Sequence, residues 1–530
     1  MSDEKLYLRP NVVVEPLIDH WYAWAHLLSP ATAAMNIDGR HMKIMQSYIN
    51  APQVHASAVK NPAMLGGPFI DYETNRVDDI KCLMQYTREK RGNMLEFADA
   101  IKQLDKLLEE EAKGYSLEPL YPKVPDILRG YVEMVYDLNN SPSFRVIEAL
   151  LYHSDFHDTS SQSMMLSLID QDHRPFILST PRLEGPNDVH LQIPFSSAAI
   201  DELFKMKKTP QTYAFIKEQL GIPDKYDAKF QTFLTPDPPA PYAKYEGDGA
   251  RWRYFGHACI LLETKHTSIL LDPVLSYTYD SEISRYTYAD LPDEIDYVLI
   301  THNHQDHILM ETMLQIRHKV KNVVVPRCSG GSLQDPSLKL MLLNHGFKNV
   351  IEIGELERID FDRGSITALP FLGEHSDLDV RTKAAHLVKV DGHTVLFAAD
   401  SCNIEPRLYE HLHRVLGDVE ILFLGMECDG APLSWLYGPL LTTQLPRSMD
   451  QSRRLAGSNY ERGIDIVNTC NCKEAYVYAM GQEPWLNYIM SKKYTEESNP
   501  IIASNKLIAD CKGRGIVAER LFGEKELFLS

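Results

Sequence analysis

The sequence predicts an α/β protein in two domains: an N-terminal α/β domain with an antiparallel sheet, then a C-terminal αββα sandwich. Three observations carry this. The 530 residues are too many for one ordinary domain. Residues 235–249, TPDPPAPYAKYEGDG, hold four prolines and end with two glycines, a composition that stays extended and outside a core. Beyond it, short apolar runs alternate with helical periodicity, the pattern of sheets covered by helices. The expected division is 1–234, a linker over 235–249, and 250–530.

In the first part, Met94, Phe97, Ala98, Ile101, Leu104 and Leu108 recur at helical spacing, with Gly114 as a stop. SMMLSLID (163–170) and FILST (176–180) flank a polar turn and read as a hairpin, with VHLQIP (189–194) as a third strand. Residues 200–220 read as helix. HSDFHD (153–158) brings His153, Asp155, His157 and Asp158 together, but no strand leads into it, and it reads as a solvated loop.

In the second part, RYFGHACILLETKHTSILLDPV gives two strands around a Lys265-His266 turn. An apolar run ends at Ile300, and Met310 to His318 reads as a helix. NVVVP (322–326), SITALP (365–370) and HTVLFAADS (393–401) read as strands.

Composition narrows the classes of function. A hydrophobic content of 44% supports globular cores. The formal net charge of −19 argues against nucleic acid, whose phosphates call for clustered Lys and Arg. No apolar run is long enough to cross a bilayer, and MSDEKLYLRP has no signal-peptide core, so a soluble, cytoplasmic protein is expected. The 8 cysteines have no disulfide-framework spacing, and Cys470 and Cys472 read as packing thiols. Lys205, Lys207 and Lys208, or Arg453 and Arg454, are the local basic clusters an acidic partner would meet; each alone reads as a solvated face.

The chemistry concentrates in THNHQDH, 301–307. His302 and His304, two apart on an extended segment, face one side and can close on one metal ion. Asp306 and His307 follow the turn and can reach a second ion. This HxHxDH pattern is the signature of the metallo-β-lactamase fold. Asp400, at the end of the run Val395 to Ala399, is placed to bridge two cations and offset their repulsion. Asp272 is a candidate to hold a metal-bound His in its tautomer, and His257 is expected to pack or hydrogen-bond near the site rather than ligate. The intermediate donor is Glu374 or the adjacent His375. The closing His is absent: no histidine follows His413, and after the strand Ala475 to Ala479 the chain reads Met-Gly-Gln-Glu. Three His and three carboxylates suit iron better than a nitrogen-rich zinc set does.

These features together resemble the diiron β-hydroxylases of nonribosomal peptide biosynthesis. The resemblance rests on a long N-terminal α/β domain, the HxHxDH domain behind it, and Glu374 in place of the intermediate His; the motif match spans roughly residues 252–410. It implies two iron ions held by His302, His304, Asp306, His307, Glu374 and Asp400, with Glu374 and Asp400 the residues closest to the chemistry. It implies dioxygen as co-substrate, electrons from an external donor, and homodimer contacts from the N-terminal domain. The implied substrate is an aminoacyl thioester on the phosphopantetheine arm of a peptidyl carrier domain. Residues 429–460, with Trp435 and Tyr437, are expected to line its tunnel. The alternative is a dinuclear zinc hydrolase that uses His375, acting on a lactone, thioester or phosphodiester.

Overall fold

The computed structural model describes residues 4–530. Two seven-stranded sheets form its C-terminal half. The first runs, in order, Val350–Ile353, Val320–Pro326, Ile295–Leu299, Ser268–Leu271, Ile260–Glu263, Ala250–Tyr254 and Lys525–Leu529. The second runs Arg358–Phe361, Gly364–Leu369, Ala385–Val390, His393–Phe397, Ile421–Gly425, Glu474–Tyr478 and Val517–Arg520. Their inner faces meet in an apolar layer that includes Trp252, Ile260, Leu299, Phe397, Phe423 and Tyr476. Helices such as Met310–Ile316 and Asn499–Gly513 cover the outer faces. This is the expected αββα sandwich. The last strand returns to pair with Ala250–Tyr254, antiparallel, and closes the edge of the first sheet.

The N-terminal half contains a four-stranded antiparallel sheet, in the order Trp21–Tyr22, Val12–Ile18, Gln162–Leu168, Val189–Gln192. The expected hairpin of 163–170 with 176–180 is not formed. Residues 176–180 lie outside any strand, and Gln162–Leu168 pairs with Val12–Ile18 along its whole length. Val12–Ile18 is buried at every position, so this long-range partner offers far more apolar contact than a local turn. The third strand, near 189–194, does pair as expected. The helix from Met94 spans Gly92–Glu111. Residues 200–220 divide into Ala198–Lys205 and Tyr213–Leu220, because Gln211–Thr212 pairs with Lys5–Leu6 between them.

Residues 236–249 hold no helix or strand. The two halves nevertheless share one core, in which Val14, Tyr22, Trp24 and Ala34 join Leu270, Ile308, Met313, Leu433, Tyr437 and Trp485. A buried ionic cluster sits in that seam. Arg174 reaches Glu15 at 2.6 Å and Glu311 at 2.7 Å, and Tyr22 and Tyr277 both donate to Glu311. Glu311 belongs to the helix that follows the THNHQDH motif, so the N-terminal half fixes that helix directly. All eight cysteines are free thiols, with Cys470 and Cys472 packed in the core under the second sheet. Among the described residues, no helix is long and apolar enough to cross a membrane.

Candidate metal centre

The strand Ile295–Leu299 delivers residues 301–307 to the ends of both sheets, where all four metal-competent side chains of the motif are buried. Glu374 arrives from the loop after Gly364–Leu369, and Asp400 from the loop after His393–Phe397. Two strand ends supply adjacent support. Gly425 closes a strand against Asp400, and a Cβ there would collide with its Oδ1. Asp272, at the end of Ser268–Leu271, lies 2.8 Å from His307 Nδ1 and accepts from the Thr301 hydroxyl at 2.6 Å.

Non-glycine residues with left-handed backbone gather at these turns: Asp272 (φ 37), Glu374 (φ 67), Ala399 (φ 46), Ala479 (φ 53) and His257 (φ 52). Each such residue costs about 1 kcal/mol or more, and such strain collects at functional sites. Here it aims short side chains into one space from strands that run past it.

Ligand-competent atoms meet in three overlapping groups: His302, His304 and Glu374; His302, His307 and Asp400; and His257, Asp306 and His307. Glu374 lies 2.7 Å from His304 Nδ1, and Asp400 lies 3.0 Å from His307 Nε2. The structure thus gathers all six residues singled out in the sequence. Between the neighbours Glu374 and His375, the carboxylate is the one that shares a group with His302 and His304. His375 turns its Nδ1 to Tyr437 Oη at 2.9 Å, and its Nε2 lies 3.2 Å from Glu374.

The electrostatics fit a cation site. Burial pushes the Glu374 carboxyl up to about 7, against the pull of His304. Burial also pushes Asp306 up, but His307 and His257 outweigh it and hold that carboxyl below the usual range. Burial lowers His307, yet Asp400, Asp306 and Asp272 together keep it well above an ordinary imidazole. Three carboxylates this close repel one another, and bound cations remove that repulsion.

Three residues near the site carry more than the sequence suggested. His257, from the turn between the first two strands, has Nε2 3.1 Å from Asp306, and its backbone carbonyl accepts from Ala479 N–H. Tyr437 bonds His304 Nε2 at 3.0 Å as well as His375. His26, from the N-terminal half, is fully buried 5.9 Å from the Tyr437 ring. A Gly-His pair in an opening hairpin pointed to His257. Nothing local in the sequence points to His26, because its proximity exists only through the packing of the two halves. HSDFHD forms no converging group: Asp158 pairs with Arg91, while His157 packs on Tyr152 and His345.

Residues 7–238 match the family model described as the diiron non-heme β-hydroxylase N-terminal domain, and 267–429 match the β-lactamase superfamily domain. The 4-amino-L-phenylalanyl-[CmlP-peptidyl-carrier-protein] 3-hydroxylase of Streptomyces venezuelae is 40% identical over 531 residues, covering 98% of this chain and 99% of its own. The chain belongs to the diiron β-hydroxylase family. The crystal structure of CmlA, a diiron β-hydroxylase from the same organism, covers 100% of both chains at 39% identity with a TM-score of 0.92. A mutant of CmlA β-hydroxylase superposes with a TM-score of 0.90 at 38% identity, covering 99% of this chain and 100% of its own. The cofactor of this family is a pair of non-heme irons, and the donors present fit it. Glu374 Oε2, His302 Nε2 and Asp400 Oδ1 are buried without hydrogen-bond partners, an arrangement that is costly unless a ligand satisfies them. The mixture of imidazole and carboxylate suits oxygen-activating iron.

Proposed function

We propose that this chain is a diiron oxygenase that β-hydroxylates an aminoacyl group carried as a phosphopantetheine thioester on a nonribosomal peptide synthetase carrier domain. The observation that carries it is Glu374, a carboxylate among His302 and His304 where hydrolases of this fold use histidine. Full-length similarity to a hydroxylase of carrier-bound 4-aminophenylalanine supports it. In this reading His302, His304, Glu374, Asp306, His307 and Asp400 would together hold two iron ions. Iron bound there supplies the activation of dioxygen for hydroxylation at the β-carbon.

The chain's own residues fix the tautomers. Asp272 accepts from His307 Nδ1–H, which leaves Nε2 free as a ligand atom. His304 turns Nδ1 toward Glu374, so its Nε2–H donates to Tyr437. The Tyr437 hydroxyl then donates to His375 Nδ1, and His375 Nε2 lies 3.2 Å from Glu374 without a hydrogen-bond partner. Tyr437 thus links His304 to His375 through two hydrogen bonds. His375 stands outside the group formed by His302, His304 and Glu374, which weighs against the zinc-hydrolase alternative. Burial of every member keeps bulk water from the reacting centre.

The electron donor is external, and the working unit is a homodimer joined through the N-terminal half in the cytoplasm. Reduced enzyme, dioxygen and a carrier domain loaded with 4-aminophenylalanine should give one added oxygen atom by mass spectrometry. Stoichiometric zinc in a colourless preparation would reject this reading. Glu374→Ala should alter the iron's optical spectrum and uncouple dioxygen consumption from hydroxylation; unchanged values would remove Glu374 from the ligand set.

A further inference from the structure

The space at the metal centre is small for the substrate just proposed. Bounded by residues such as His304, Glu374, Asp400 and Trp435, it measures about 50 Å³, whereas pockets that bury a small molecule run to about 300–1,000 Å³. A second cavity of about 360 Å³ lies against it, formed by residues 59–71, 173–179 and 487–493. The two share a thin wall. Trp435 lines the small space, and its Nε1–H donates to the carbonyl of Gly66, which lines the large one, at 2.9 Å. Phe176, in the large cavity, stacks on Trp435 at 6.1 Å between ring centres. Met490 and Lys492 face the metal centre, while Ser491 and Lys493 face the large cavity. Alternate residues of one segment therefore serve both spaces. That segment turns at Ser491 (φ 51), and the opposite strip turns at Gly66 (φ 73), the kind of position that absorbs a hinge motion.

The cavity's charge points to its occupant. Arg174 is consumed by Glu15 and Glu311, and His173 lies 3.6 Å from Asp71. Lys60 and Lys493, both exposed at the cavity, form no ion pair among the described residues. The basic clusters singled out in the sequence are spent elsewhere. Lys207 is buried, Lys208 pairs with Asp293, Arg453 donates to Ser376 O and Arg454 to Gly430 O. In a chain of net charge −19, two unpaired lysines at a cavity beside the metal centre match a phosphodiester entering with an uncharged tail.

We propose that this cavity receives the carrier's phosphopantetheine arm, with its phosphodiester at Lys60 and Lys493. Trp435 and residues 490–492 move aside to join it to the metal centre. The inference rests on the hydroxylase reading above.

The test compares two forms of one substrate: 4-aminophenylalanine loaded on a holo-carrier domain, and the same aminoacyl group as a free pantetheine thioester, which lacks the phosphate. The double variant Lys60→Glu, Lys493→Glu should raise KM for the carrier-borne form about tenfold, leave kcat within about twofold, and leave KM for the pantetheine form unchanged. Val59→Trp, which fills the cavity, should raise KM for both forms. Iron content and optical spectrum serve as controls and should match the wild type in both variants. Unchanged KM for both variants, or an equal rise for both substrates in the charge-reversed one, overturns the proposal. Failure of the hydroxylase reading is separate: the wild type would then add no oxygen to either form.

Discussion

Glu148 is a carboxyl with no cation beside it. Ser337 N–H donates to one oxygen at 3.0 Å, and the other is buried without a partner. Burial pushes it up to about 7 from its ordinary 4.5. Between those values the folded chain holds a proton that the unfolded chain has lost, so stability falls as pH rises through that window and stays reduced above it. Glu148→Gln keeps the acceptor and removes the titration. It should raise stability at pH 8 by on the order of 1–3 kcal/mol, with most of the gain gone at pH 5, as urea melts at the two pH values would read. Tyr437 makes the second case. Tyr437→Phe leaves His304 Nε2 and His375 Nδ1 without their shared partner. Iron affinity or activity should fall roughly tenfold or more, with the fold intact by circular dichroism; titration with ferrous iron measures it. The sequence marked Tyr437 only as a tunnel-wall candidate, because a tyrosine's value here lies in where its hydroxyl ends, which periodicity does not record.

The helix Met310–Ile316 begins three residues after the motif and is buried at every position. A fully buried helix shows no amphipathic stripe, so its partners cannot be read from spacing. They are ionic as well as apolar: Arg174 sits between Glu15 and Glu311, and its guanidinium lies 3.7 Å from the centre of the Tyr488 ring. Removing one member of a buried charge cluster leaves the others uncompensated. Arg174→Met should cost about 3–5 kcal/mol and lower iron occupancy, because the helix anchors the motif's last turn. Guanidinium melts and metal analysis check both; normal stability would show that Glu311 is held by its tyrosines alone. A comparable brace secures the segment at Trp435. Arg40, on the π-helix Ile37–Met42, donates to the carbonyls of Trp435 and Leu436. π-Turns of this kind recur at functional sites.

At the scale of the molecule, a proline-dense linker separates two stretches of sequence that share one core in space. Leu433, Tyr437 and Trp485 pack in the same cluster as Val14, Trp24 and Ala34. Cutting at the linker would expose that cluster on both pieces. Residues 250–530 alone should therefore fail to give a monomeric, cooperatively folded product, and the full chain should unfold in a single calorimetric transition. Two well-separated transitions would show that the shared core contributes little.

The sequence by itself determined the sandwich, the HxHxDH turn, Asp400 and the absence of a closing histidine, because each is a local pattern: strand runs with period two, and ligand residues at the strand ends. It also narrowed the intermediate donor to two neighbours. Only the tertiary structure separates their surroundings. Glu374 and His375 are adjacent in the chain, but the left-handed backbone at Glu374 sends its carboxylate to His302 and His304 and turns His375 to Tyr437. The same is true of Val12–Ile18 as the partner of Gln162–Leu168, and of His26 beside the site. These are contacts between residues far apart in sequence, whose free energy comes from burial that no local window of residues contains.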